Sequence, residues 1–261
     1  MPMTILVTGA ARRIGAAIGA RLAQGGHHVL LHYHHSRDEA EATAAAWRAA
    51  GGKVDLVAGD LATEAETGAI FAAAREAAGG VVDGLVNCAS LFDFDRPPGE
   101  SPALLDQMIH TNLAGPIALA TALARQDGLA DGAVVNILDQ KLANPNPDFF
   151  SYTLSKSALE SATVMLAQAL APRVRVNAVS PGLTMTSHDQ TEAEFAAVAH
   201  DNLLRRPVAV EDIAASVEWL LTCPSITGQN VFVDCGQRFI TRDSDVMFAT
   251  RQNALGSRAD G

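Results

Sequence analysis

The sequence predicts an α/β fold: one Rossmann-like, doubly wound domain with a seven-stranded parallel sheet and helices on both faces. Three observations carry this. Short apolar runs alternate with helix-period stretches from end to end, which is the pattern of repeated βα units. The strand-like runs are apolar throughout rather than alternating, as strands covered on both faces are. A glycine-containing turn joins the first run to the first helical stretch, where parallel sheets place a ligand-binding crossover. The chain has 261 residues, 48% of them apolar and 18% charged. That is material for a sizeable core and excludes a disordered chain.

The elements follow in order. Thr4–Thr8 is the first strand, and Ile14, Ala17, Ile18 and Leu22 mark one face of the first helix, which Gly25 and Gly26 stop. Val29–Tyr33 is the second strand, Asp38–Ala50 a helix and Lys53–Ala58 the third strand. A helix over Thr63–Ala78 leads to the fourth strand, Gly84–Cys88. Ser101–Arg125 reads as one helical stretch, Ala133–Leu138 as the fifth strand, and Ser151–Ala171 as a long helix closed by Pro172. Val174–Val179, a helix over Val210–Leu221, and Asn230–Val233 complete the sheet. Thr184–Leu204 is expected to be a mobile flap of about residues 183–205, and residues 237–261 a tail; one domain accounts for residues 1–261.

Nineteen basic residues against twenty-nine acidic ones give a formal charge of −10, the opposite of a nucleic-acid surface. No window approaches eighteen uninterrupted apolar residues, so no membrane partner is expected. No signal peptide is visible at the start, and the three cysteines have no CxxC spacing, which suits a reducing cytoplasm.

The first chemistry lies in Thr8-Gly9-Ala10-Ala11-Arg12-Arg13-Ile14-Gly15, between the first strand and helix. Gly9 allows a tight turn and Gly15 a close backbone approach, so a pyrophosphate can meet the helix N-terminus. The second strand ends His32-Tyr33-His34-His35-Ser36-Arg37, with no carboxylate to accept from a ribose 2′-hydroxyl. Imidazoles, a hydroxyl and nearby Arg12 and Arg13 suit a 2′-phosphate, so the expected cofactor is NADPH/NADP+. His32, His34 and His35 could alternatively be read as metal ligands, but no supporting ligand stands at the right spacing, and no metal is expected. Tyr152 and Lys156 lie four apart on the long helix and so share a face beyond the carboxyl ends of the sheet. A neighbouring cation favours tyrosinate, which predicts a lowered phenol pKa and a general acid.

Together, TGxxxRxG, Asn87-Cys88-Ala89-Ser90, Asn112, the YxxxK of Tyr152 and Lys156, and Ser180-Pro181-Gly182 resemble the short-chain dehydrogenases/reductases over residues 3–237. The resemblance implies that Tyr152 donates the proton, that Lys156 holds the nicotinamide ribose, and that Asn112 supports a water relay to Lys156. It further implies that Pro181 and Gly182 border the nicotinamide and that Asp60 and Leu61 contact the adenine. Gly9, Arg12, Arg13, Ile14, Gly15, His34, His35, Ser36, Asn87, Ala89 and Ser90 complete the expected cofactor set. A homotetramer is implied as well, with small residues on the long helix (Ala158, Ser161, Ala162, Ala169) permitting close contact.

Two positions depart from the family pattern. Arg13 replaces a glycine, and Asp139 stands where a serine is usual, thirteen residues before Tyr152. Both departures, and the HYH-type end of the second strand, resemble the pteridine reductase and dihydromonapterin reductase branch. There Phe92 falls where an aromatic stacks on a pterin, and Arg13, Ser90, Phe92, Asp139 and Tyr152 become the expected substrate contacts. Chemistry supports this independently, because an ionised carboxylate cannot donate to a developing alkoxide but suits a substrate bearing N–H groups. The sequence therefore predicts NADPH-dependent reduction of a dihydropterin, such as dihydromonapterin or dihydrobiopterin, or of dihydrofolate. The alternatives are a carbonyl reductase of the same fold acting on a 3-oxoacyl, sugar or steroid ketone, and a non-catalytic NADP-binding regulator. The tail, with Phe239, Val246, Met247 and Phe248, is expected to close a neighbouring subunit's site.

Overall fold

The computed structural model describes residues 2–99, 101–187 and 190–248. Seven parallel strands form one sheet in the order β3-β2-β1-β4-β5-β6-β7. They are β1 (Thr4–Val7), β2 (His28–Tyr33), β3 (Lys53–Ala58), β4 (Gly84–Asn87), β5 (Gly132–Ile137), β6 (Val174–Pro181) and β7 (Asn230–Val233). Ile5 of β1 pairs with Val29 of β2 on one side and Gly84 of β4 on the other. The chain therefore reverses direction across the sheet between β1 and β4, and the crevice at their carboxyl ends is where such sheets bind ligands.

The period of two along each strand divides the core between the two faces. Ile5, Val7, Val29 and Leu31 pack with α1 (Arg13–Gln24), α2 (Arg37–Ala49) and α8 (Val210–Thr222). Leu6, Leu30, Leu85 and Val134 pack on the other face with α3 (Glu64–Ala78), α5 (Gly115–Arg125) and α6 (Phe150–Leu170). In α1 the fully buried Ile18 and Leu22 are the inward stripe that the sequence marked. Thr63 caps α3 by accepting from the Glu66 amide, and Gly79 ends that helix in the left-handed conformation. No helix among the described residues is long and apolar enough to cross a membrane.

One expectation needs correction and two gain detail. The stretch 101–125 is helical, as expected, but not uniform. Its α4 (Pro102–Ile109) passes through a π-turn at His110–Ala114 into α5. The flap contains a helix of its own, α7 (Glu192–Val198), nucleated by a reciprocal capping box between Thr191 and Glu194; His188 and Asp189 lie outside the described residues. Finally, the tail folds back on its own chain: Val246 and Met247 are buried, and Met247 packs with Met108, Phe149 and Tyr152. Phe239 is 64% exposed and takes no part in this closure. Residues 249–261 lie outside the described residues.

Candidate active site

A cleft of about 710 Å³ opens at the carboxyl ends of the strands. Its floor is the turn after β1. Gly9 has φ +65°, and a side chain there would meet the Ala89 backbone at 2.8 Å. A side chain on Gly15 would come within 2.3 Å of the Gly9 carbonyl oxygen. The turn thus closes so tightly that only hydrogen fits at either position. Arg13 also has positive φ (57°), so its backbone keeps a glycine-like conformation while an exposed guanidinium is added at the cleft. Arg12, Arg13, Ile14, His34 and Ser36 line this end.

His32 is the support beneath the turn. Its Nδ1 accepts from the Gly9 amide at 3.3 Å, and its Nε2 lies 3.1 Å from the Gly59 carbonyl. These partners require a neutral ring carrying its proton on Nε2. Burial pushes its pKa from 6.5 down to about 4, the largest effect, although the Gly59 carbonyl opposes it. The imidazoles of the HxHH run consequently have separate tasks. His34 approaches Asp60 at 3.7 Å and lies against His35 with the two rings tilted by 33°, whereas Arg37 pairs along its helix with Glu41 at 2.9 Å.

At the other end of the cleft, Tyr152 and Lys156 descend from the first turns of α6. The start of that helix is fixed by Asp95, whose carboxylate accepts from the Ser151 amide at 2.9 Å and the Ser151 hydroxyl at 2.5 Å. Asp139, at the end of β5, caps the short 3-10 helix Gln140–Ala143 by accepting from the Lys141 amide at 2.8 Å. Its other oxygen, Oδ2, accepts from the Tyr152 hydroxyl at 3.0 Å. The two positions that the family resemblance linked are therefore joined by a direct hydrogen bond.

The expected electrostatics of this pair are reversed. Burial, and then the Asp139 carboxylate, push the Tyr152 phenol well above its ordinary value. Lys156 does not counter this through the ring, since its ammonium stands 5.7 Å from the ring centroid and donates to the Ile137 carbonyl at 2.8 Å. Burial pushes Lys156 down to about 8. Burial also raises Asp139, so that the carboxyl and the phenol both hold protons more firmly than they would in water.

Gly9, Arg12, Arg13, Ile14, Gly15, His34, Ser36, Ala89, Ser90, Phe92, Asp139, Tyr152, Lys156, Pro181 and Gly182 all line the cleft. His35, Asp60, Leu61, Asn87 and Asn112 do not. Asn87 is a strand tie, donating to Asn136 Oδ1 at 2.8 Å across β4 and β5. Asn112, fully buried in the π-turn, donates to Ser155 and Leu91 and accepts from the Leu91 amide, so it holds the loop carrying Ser90. No hydrogen bond joins it to Lys156. Phe92 presents one face to Phe149 (centroids 4.3 Å apart, planes at 14°) and meets Tyr152 edge-on at 4.7 Å. Sequence reasoning missed Tyr33, Phe149, Lys141 and Asp245 in the cleft lining. For Phe149 the signal was available, an aromatic just before the Tyr152 helix; for Asp245 no local pattern exists.

A family model described as enoyl-(acyl carrier protein) reductase matches residues 9–238. FolM alternative dihydrofolate reductase 1 from Brucella suis, solved in complex with NADP, is 40% identical with a TM-score of 0.88, covering 92% of this chain and 96% of that one. Dihydromonapterin reductase of Klebsiella pneumoniae is 26% identical over 246 residues, covering 90% of this chain and 97% of its own. The 3-oxoacyl-[acyl-carrier-protein] reductase FabG of Staphylococcus aureus is 30% identical over 246 residues, covering 90% and 98%. These similarities span the turn after β1, the Asp139–Tyr152 pair and β7 alike, and the chain belongs to the short-chain dehydrogenase/reductase family of oxidoreductases.

Proposed function

We propose that this chain is an NADPH-dependent reductase of a pteridine, with a dihydropterin or dihydrofolate as substrate. The observation that carries the substrate reading is the hydrogen bond from the Tyr152 hydroxyl to Asp139 Oδ2 at the bottom of an aromatic-walled cleft. The dihydrofolate and dihydromonapterin reductases named above support it by likeness.

The residues present fit a dinucleotide. The Gly9–Gly15 turn leaves room that a single Cβ would fill, and Arg13, His34 and Ser36 offer donors for a 2′-phosphate at the same end of the cleft. When bound, NADPH supplies a hydride. The chain supplies the rest. Tyr152 gives the proton on its hydroxyl oxygen to the ring nitrogen next to the carbon that is reduced. Asp139 accepts from the Tyr152 hydroxyl and from substrate N–H groups. Phe92 offers its remaining face to a flat ring system, an offset stack worth about 0.5–1.5 kcal/mol beyond burial.

Two results test these assignments. Catalytic efficiency should strongly favour NADPH over NADH, and Arg13→Gly should weaken NADPH by about ten- to a hundredfold, the loss of one charge-assisted phosphate contact, while barely changing NADH. Glycine also suits the positive φ at position 13, so backbone strain cannot account for that loss. Equal use of both cofactors by the unmodified protein would refute the assignment.

For substrate, dihydropterins should be reduced at least about tenfold more efficiently than simple ketones, a difference of about 1.4 kcal/mol in transition-state binding. Asp139→Ser should narrow the gap by lowering pterin turnover. Efficient reduction of a 3-oxoacyl thioester with no activity on any dihydropterin would instead favour the carbonyl reductase reading, which the FabG likeness supports.

The homotetramer is also part of this proposal, with one change in its residues. Ala162 is buried within its own subunit, Ser161 and Ala169 are exposed, and the exposed large apolar side chains of α6 are Leu154, Val164 and Met165.

A further inference from the structure

The cleft contains a charged pair through which no proton-transfer step described above passes. The Lys141 side chain is 6% exposed, and its Nζ donates to the Asp148 carbonyl at 2.6 Å and to Asp245 Oδ2 at 3.0 Å. The Asp245 amide donates to Asp148 Oδ2 at 2.7 Å, and the other Asp148 oxygen accepts from Arg96 at 2.8 Å. Asp245 Oδ1 then accepts from the Met247 amide at 3.1 Å. Two segments almost a hundred residues apart are thereby joined by buried, charge-assisted bonds. What they hold in place is Val246 and Met247, which line the cleft, and Met247 packs with Tyr152 itself.

A buried ion pair is weak evidence for stability, because desolvation of both ions offsets their attraction. Its geometry is nonetheless specific: Asp245 reaches Lys141 and Asp148 only when residues 245–248 lie along the cleft. We propose that Asp245, locked to Lys141, is a positioning residue for substrate, fixing Val246 and Met247 as the cleft wall beside Tyr152, so that the C-terminal segment of this same chain selects what the Asp139–Tyr152 pair meets. The identity of the selected substrate rests on the pteridine reading above; the wall itself does not. Methionine suits such a wall, since its polarizable thioether adapts to a flat aromatic surface.

The test uses the full chain and three variants: Asp245→Asn, Lys141→Met, and Lys141→Met combined with Asp245→Leu. The double variant removes both buried charges and so avoids leaving one unpaired, which keeps the fold testable. In all three, KM for a dihydropterin should rise about tenfold while kcat stays within about threefold, the signature of lost positioning rather than lost chemistry. NADPH affinity should stay unchanged, which reports an intact fold. Amide exchange of the peptide spanning residues 245–248 should accelerate relative to a peptide from β5. Unaltered exchange would show that the pair does not hold the segment. Accelerated exchange with unaltered KM would show that the wall does not select; either result overturns the proposal. If the unmodified enzyme reduces only ketones, the same rise in KM, now for the ketone, would uphold the wall and sink the pteridine reading alone.

Discussion

Tyr152→Phe is expected to slow reduction by about 10²–10⁴ while NADPH still binds, because the ring remains and only the transferable proton is lost. The magnitude follows from the geometry around the hydroxyl. Its single proton lies on a 3.0 Å bond to Asp139 in a buried site. A phenol held above its ordinary pKa gives up that proton only as the hydride arrives and the ring nitrogen becomes basic. Water cannot easily replace it where Phe92, Phe149 and Met247 surround the tyrosine. Single-turnover kinetics at saturating NADPH isolate the chemical step. Near-normal turnover of the variant would mean that Asp139 or a water donates directly.

The second large effect is on stability in acid. His32 is neutral in the folded chain, and its pKa is about 4 instead of 6.5. Above pH 6.5 neither the folded nor the unfolded chain binds a proton there, and the full stability is present. As pH falls through 6.5 the unfolded chain takes up a proton that the folded chain refuses, so stability falls until about pH 4, where both are protonated. The total is about 3 kcal/mol. His27, which burial also lowers, adds to the same slope. The informative quantity is therefore the difference between the unmodified protein and His32→Asn, measured by urea unfolding at pH 7 and pH 4.5. The variant should be less stable at pH 7 yet lose less on acidification. Parallel losses in both proteins would mean that His32 is not the titrating group.

Most of the sheet was legible because its signals are local. The β3 and β7 boundaries coincide with apolar runs flanked by turn residues, and the glycines of the first turn announce their own geometry. The family resemblance at position 139 pointed to the Asp139–Tyr152 pair, which the end of a strand and the start of the following helix bring together. Other features have no local signature. The contacts of Asp245 with Lys141 and Asp148 span 104 and 97 residues, a distance at which no periodicity survives. The direction of the Tyr152 shift has no local signature either: Lys156 is the neighbour that the sequence displays, whereas burial and then Asp139 set the direction. Asn87 and Asn112 stand beside the cleft rather than in its lining, where their amides hold strands and loops together.

The π-turn at His110–Ala114 carries a consequence for how this chain can change over generations. A wider turn holds one more residue than a regular helix of the same advance, so α4 and α5 are out of phase by roughly 100°. Met108 before it faces the aromatic cluster around Tyr152, whereas Leu119 and Leu123 after it face the sheet. Removing one residue would restore an even ladder and rotate one of those two faces into solvent. A substitution on the exposed side of this stretch leaves both faces where they are; a change in its length does not. What descendants must inherit between Pro102 and Arg125 is therefore first a number of residues, and only then their identities.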